Sequence, residues 1–181
     1  MTSTDPRDAA LVALRALHRE IDGEVEELSR RHADRLQCRR GCQACCLDDL
    51  SVMEVEAERI RENHGEWLVT ATPHPSGACA FLDDEGACRI YADRPSVCRS
   101  QGLPLRIIFE DENDEIVEHR DICALNLEGG PALDDLAEED CWLIGPHELR
   151  LTAIDDRLSR ASGNKEAPRV FLRSLFGTHR A

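Results

Sequence analysis

Aromatic residues are nearly absent from this chain: two Trp, one Tyr and four Phe in 181 residues. A core built on stacked rings is therefore excluded. The interior must rest on Leu, Val, Ile and Ala, with cysteines as available cross-links. Basic residues are also in short supply, 22 Lys and Arg against 36 Asp and Glu, a net charge of −14. A uniformly acidic surface repels phosphate backbones and anionic lipid, which argues against nucleic acid or membrane as the main partner and serves solubility. No window approaches the ~20 apolar residues of a membrane span. Met1 to Asp8 holds two Asp and a Pro, not the basic start and unbroken apolar run of an export signal. These absences point to the cytoplasm. Also missing are a Gly-rich phosphate loop, a nucleophile elbow, an H-E-x-x-H metalloprotease motif and the glycine-rich strand–helix turn of many nucleotide sites.

What the chain does have is nine cysteines. In a reducing compartment structural disulfides are rare, and clustered thiols are better read as metal ligands or redox groups. The odd number also argues against a closed disulfide framework.

The length suits one domain with helical additions. Leu11, Leu14, Leu17, Ile21, Val25 and Leu28 recur at three- and four-residue steps, which predicts an amphipathic helix over residues 8–36, long enough to offer a homodimer seam as well. Ser51 and Glu54 have capping-box spacing and predict a second helix from Ser51 to about Gly65. Asp83, Asp84 and Gly86 predict a tight turn. Leu103–Phe109 and Glu115–His119 predict a hairpin around the polar run 110–114. Pro146 opens a further helix with Leu149, Ile154 and Leu158 on its apolar face and Gly163 at its end. Pro168 to Phe176 reads as a short last helix. The expected fold is mainly α with a short β-hairpin, built around a small irregular cysteine-rich metal-binding domain. We divide it into an N-terminal amphipathic helix (1–36), the cysteine-cluster domain (37–128) and a C-terminal helical segment packed on that domain (129–181).

The densest chemistry is Cys38-Arg-Arg-Gly-Cys42-Gln-Ala-Cys45-Cys46. Two thiolates two residues apart can turn back onto one ion, and Gly41 gives the backbone freedom for a close approach. Adjacent side chains diverge, by half a turn in a strand or about 100° in a helix. Cys45 and Cys46 therefore either serve two sites or leave one thiol free. Cys79, Cys88 and Cys98 follow, then Cys123 and Cys141. Eight thiols could make two four-ligand sites, or one site with several packing cysteines. Cys141, flanked by Trp142 and Leu143, reads as packing. Arg39, Arg40, Arg89, Arg94, Arg99 and Arg106 crowd these segments of an otherwise acidic chain, and cationic neighbours lower thiol pKa values. His64 and His74 could complete a mixed Cys/His site. Asp48, Asp49 and the acidic run 134–140 read as solvated faces.

C-x3-C-x2-C-C, then Cys79-Ala-Phe81-Leu82, then Cys88-Arg-Ile90-Tyr91-Ala-Asp-Arg94-Pro95-Ser-Val-Cys98-Arg99, resembles the YkgJ-type cysteine-cluster family. That family is held to chelate zinc or iron, and it includes the flagellin lysine methylases. The resemblance spans Cys38 to Cys123. It implies Cys38, Cys42, Cys45, Cys46, Cys79, Cys88 and Cys98 as metal ligands, with Cys123 as the later cysteine. Arg94, extended ahead of Pro95, could reach back over the cluster, and Tyr91 and Phe81 could wall it from water. Three functions start from these thiolates: an iron–sulfur protein with a redox or accessory role, a structural zinc module that binds a protein partner, and a protein-lysine methylase. Thiolates suit iron and zinc alike. The adjacent pair and the wide spacings depart from ordinary zinc knuckles and favour a cluster, of the four-iron type.

Overall fold

The computed structural model describes residues 5–163 and 168–177. Helix α1 runs Pro6–Arg31, opened by Asp5, whose carboxylate accepts the Arg7 N–H at 2.9 Å, and by Pro6 in its first turn. Its Leu ladder is buried as expected, but the helix stops five residues short of 36. Beyond Arg31 the backbone makes one looser turn, with the Arg35 and Leu36 N–H groups donating to the His32 carbonyl. That turn delivers Gln37 to a buried asparagine, described below.

Strand β1 is Ser51–Val52 and helix α2 is Glu54–Thr70. Ser51 therefore lies in a strand, not at a helix cap. The reciprocal contact comes from Glu56, whose Oε2 accepts the Met53 N–H at 3.4 Å. Helix α2 runs through Gly65, where nothing is crowded and the cost of a glycine is only its backbone entropy. Asp83 makes the expected turn, its carboxylate accepting the N–H groups of Glu85 and Ala87 at 2.9 and 2.7 Å.

A four-residue helix, α3 (Ser96–Arg99), carries Cys98. The hairpin is β2 (Leu105–Glu110) and β3 (Ile116–Asp121), its strand ends one or two residues downstream of expectation. Asp111 closes its turn by accepting from Asn113 and Glu115. A strand that the sequence did not suggest, β4 (Trp142–Ile144), lies parallel to β2 with Leu105 beside Trp142. Helix α4 (Pro146–Ala161) begins and ends where Pro146 and Gly163 indicate, but Leu149 points to solvent at 73% exposure, and its apolar face is Leu151, Ile154 and Leu158. The predicted final helix is instead strand β5 (Val170–Phe171), antiparallel to β1, followed by a 3-10 turn at Leu172–Leu175.

Two cores result. In the first, α1 and α4 pack with Val55, Leu103 and Trp142. The α1 ladder is thus consumed within the chain, so the face proposed as a dimer seam is already covered. The second core gathers Ile60, Leu68, Phe81, Ile90, Leu172 and Leu175. Three of the few aromatics, Trp67, Phe81 and Phe176, meet there with centroids 4.9–6.3 Å apart, a spacing suited to tilted and edge-on ring contacts. The fold is mainly α with a short hairpin. No helix among the described residues is long and apolar enough to cross a membrane.

Candidate metal centre

The first cysteine segment is held from outside itself. Asn126 is wholly buried. Its Oδ1 accepts the Gln37 N–H at 2.8 Å, and its Nδ2 donates to the Gly102 carbonyl at 2.8 Å and to Cys38 Sγ at 3.4 Å. One amide therefore joins the start of the cysteine run, the turn after α3 and the segment that follows Cys123. Gly102 has φ +96, and a Cβ there would sit 2.4 Å from Cys38 Sγ. Only glycine leaves room for the sulfur.

Two consecutive turns follow, the Cys42 N–H donating to the Arg39 carbonyl and the Cys46 N–H to the Gln43 carbonyl, both at 2.9 Å. The Gly41 and Gly86 turns lie backbone to backbone: a Cβ on Gly86 would be 3.2 Å from the Gly41 carbonyl oxygen. The second cysteine group is tied to the first through the Cys46 carbonyl, which accepts the Cys79 N–H at 2.9 Å. A bridge between Leu82 and Cys88 folds the next thiol back toward Cys79.

All nine cysteines are free thiols, and most of them influence one another. Burial pushes the Cys38 thiol up, the Asn126 hydrogen bond pulls it down, and Cys42, Cys123 and Cys45 push it up again. Burial raises Cys98 to about 12, helped chiefly by Cys79 and Cys88. Burial also raises Cys88, with Cys79 adding to it and Arg94 and Arg89 opposing. Cys45 and Cys46 share one hydrogen bond and titrate as a pair. The bond from Cys46 lowers Cys45 to about 6, while Cys46 is raised by that same bond, by burial and by Cys79 and Cys98. Cys38 thus feels Cys42, Cys123 and Cys45, Cys46 feels Cys45, Cys79 and Cys98, and Cys98 feels Cys79, Cys88 and Cys45, so the thiols form one linked set with the Cys45–Cys46 step at its middle. Cys141 stands apart, 6% exposed in the α1/α4 core region beside Trp142.

A family profile matches residues 37–124 of this chain: CxxCxxCC, described as "Putative zinc- or iron-chelating domain". The segment belongs to that family. No curated protein and no solved structure matches the chain.

The CxxCxxCC domain is a metal-binding one, and its donor set suits a thiophilic cation. Burial raises the thiols of Cys38, Cys79, Cys88 and Cys98 and adds to the rise of Cys46, so a cation among them would favour their thiolates. Among the described residues no three cysteine sulfurs all lie within 4.8 Å of one another. Neither histidine joins them. His64 Nε2 pairs with Asp93 at 2.9 Å, and His74 works through its backbone, its N–H donating to the Ala80 carbonyl and its carbonyl accepting from Arg173.

Five of the arginines around the cysteines have structural partners. Arg94 stacks on Tyr91 at 4.2 Å and pairs with Asp22 of α1 at 3.3 Å, so it reaches to a helix and not across the cysteines, although its charge is felt at Cys88. Tyr91 is 65% exposed and walls nothing off, whereas Phe81 is core. Arg99 pairs with Asp22 at 2.6 Å, Arg106 with Glu118 and Glu138 in the sheet region, and Arg40 with Glu85. Arg89 lies over Trp67 and donates to the Thr72 and Ala80 carbonyls.

Behind α3 lies a buried network. His18 Nδ1 receives Arg59 at 2.7 Å and Arg99 at 3.1 Å. Arginine has no acceptor, so Nδ1 must carry the lone pair and Nε2 the proton, which it donates to Ser96 Oγ at 3.1 Å. Glu56 accepts the Ser96 N–H at 2.7 Å. Arg173, from the C-terminal segment, pairs with Asp48 at 2.6 Å and donates to the His74 and Ala78 carbonyls, clamping the loops on either side of the Cys46–Cys79 link. Sequence spacing gave no sign of Asn126, Gly102, His18 or Arg173 in these roles, because each acts across 20 or more residues.

Proposed function

We propose that the domain is an iron–sulfur protein with a redox or accessory role, with Cys38, Cys42, Cys45 and Cys123 holding one metal centre and Cys46, Cys79, Cys88 and Cys98 a second. The observation that carries this reading is the gathering of the two cysteine segments about the Cys45–Cys46 step, through the Cys79 N–H on the Cys46 carbonyl, with no three sulfurs among the described residues within 4.8 Å of one another. A lone zinc ion at Zn–S distances near 2.3 Å would draw its sulfurs to about 3.8 Å apart. A polynuclear cluster keeps them farther apart, because its inorganic core stands between them. The diverging side chains of Cys45 and Cys46 fit service to two centres better than to one.

The chain's own residues prepare the thiols. Arg89 and Arg94 favour the thiolate of Cys88, and Arg173 and Arg89 that of Cys79. Asn126 donates to the Cys38 sulfur, and such donors to ligand sulfurs tune a cluster's potential. A bound cluster would supply one-electron transfer.

The test is anaerobic purification, an absorption spectrum, and iron, zinc and sulfide determined per chain. Broad absorption near ~400 nm with acid-labile sulfide is expected. Cys38→Ser and Cys98→Ser should each remove part of the iron and leave the rest. A colourless protein with stoichiometric zinc would replace this reading with that of a structural zinc module, and loss of all iron in either variant would replace two centres with one.

A further inference from the structure

Well apart from the eight cysteines assigned above, α1 and the start of α4 leave an open groove of about 650 Å³, lined in part by Glu20, Glu24, Trp142, His147 and Arg150. Glu20 and Glu24 are four residues apart on α1, so their side chains share one face of the helix. His147 is the second residue of α4 and faces them. One oxygen of each carboxylate and one imidazole nitrogen all lie within 4.8 Å of one another, and no other set of three such groups among the described residues is as close.

The imidazole is what distinguishes this cluster from a solvated acidic face. His147 is only 9% exposed, and its ring is fixed by stacking on Trp142 with centroids 4.8 Å apart and planes 17° from parallel. Its Nδ1 has no hydrogen-bond partner. Its Nε2 stands 3.4 Å from Glu24 Oε1 and 3.9 Å from Glu20 Oε1, beyond a good hydrogen bond to either. Packing therefore fixes a buried imidazole whose Nε2 edge faces the two carboxylates, while its Nδ1 edge has no hydrogen-bond partner.

We propose that Glu20, Glu24 and His147 form a second, independent site for a divalent metal ion of intermediate hardness. Carboxylate oxygens suit Mn²⁺ and Mg²⁺, and imidazole suits Zn²⁺, Ni²⁺ and Fe²⁺; the mixed set selects ions that accept both. Three protein ligands leave coordination positions open to the groove. Closing the three atoms to the roughly 3.4 Å of a formed tetrahedral site requires only a small movement of two half-exposed glutamate side chains. Arg150 is the resident counter-charge. It grips both oxygens of Glu20, one nitrogen donating to Oε1 and the other 2.7 Å from Oε2, but its side chain is half exposed and can swing into solvent, so the ion and the guanidinium compete for Glu20.

Mn²⁺ is the probe, because soft thiolates disfavour it and the cysteine centres then stay silent. Bound Mn²⁺ is counted by the loss of the free-ion EPR signal on titration into the metal-loaded full chain. One Mn²⁺ per chain is expected. His147→Phe, which preserves the stack on Trp142, and Glu24→Gln should each weaken binding at least tenfold. Arg150→Gln should tighten it severalfold, and Cys38→Ser should leave it unchanged. Glu24 is half exposed, so Glu24→Gln tests the site even if His147→Phe folds poorly, and circular dichroism tells the two cases apart. No Mn²⁺ bound at millimolar concentration, binding untouched by Glu24→Gln, or binding lost with Cys38→Ser would each overturn the proposal.

Discussion

Alanine at position 102 would place a methyl carbon 2.4 Å from Cys38 Sγ and 3.2 Å from Asn126 Nδ2, on a backbone with φ +96. The backbone term is about 1–2 kcal/mol for a side chain in the left-handed region. Gly77 supplies the control, since it has φ +104 and nothing within 4 Å of a Cβ. Gly77→Ala should therefore show the backbone term alone. The steric term at 102 has one inexpensive exit. Rotation of Cys38 about χ1 removes the clash for the loss of one weak hydrogen bond, about 1 kcal/mol, but it carries the sulfur away from its neighbours. Stability in the metal-free state should thus fall by about 2–3 kcal/mol in Gly102→Ala against about 1–2 in Gly77→Ala. The difference in metal content should be much larger. Urea unfolding with and without chelator, alongside metal per chain, gives both quantities. Equal stability losses in the two variants, with full metal retained in Gly102→Ala, would refute the placement of Cys38 and the role given to Gly102.

Asn126→Ala should cost about 2–4 kcal/mol, because it empties a fully buried site and takes the partner from the buried Gly102 carbonyl and from the Gln37 N–H; a shift in urea midpoint worth under about 0.5 kcal/mol would remove Asn126 from the scaffold. Chelation of the metal should lower both helix content and melting temperature, and a metal-free protein unchanged in both would show that the fold does not depend on its centres. His18 is held below its ordinary 6.5 by burial, with Arg99 and Arg59 adding to it, and Glu56 is held below its ordinary 4.5, its burial outweighed by the nearby His18 imidazole and by the Ser96 N–H that donates to it. Both groups bind fewer protons folded than unfolded. The stability they contribute is therefore present above about pH 6.5 and is lost as the pH falls, first through His18 and then through Glu56. Imidazole ¹⁵N shifts should show His18 neutral and protonated on Nε2 at pH 6.5, and a midpoint above 6.5 would contradict the network.

The elements that could be read from sequence are those whose cause is local. The Leu ladder of α1 repeats within a turn or two, and Pro146 and Gly163 act where they stand. Asp83 closes its turn onto residues two and four positions away. Ser51 and Glu54 failed as a cap because the same spacing recurs at Met53 and Glu56, and tertiary pairing with β5 claimed Ser51. Strand β4 is three residues with no alternation, and only its parallel partner β2 defines it. The cysteine run was plain from its spacing, and its kinship from the residues that surround Cys79, Cys88 and Cys98. The jobs of Arg94 and Arg99 were not, because their partner Asp22 lies 72 and 77 residues away.

That distance has a practical meaning. Asp22 belongs to α1, outside the family match at 37–124, yet it is the anchor for two arginines that flank Cys98. Val55 and Leu103, inside the match, take their burial from the same helix. The stretch shared with the family is therefore not a unit that can be excised. Cut at its own borders it would lose the counter-ion of a buried guanidinium and one wall of its interior, and the evolutionary module is smaller than the folding one.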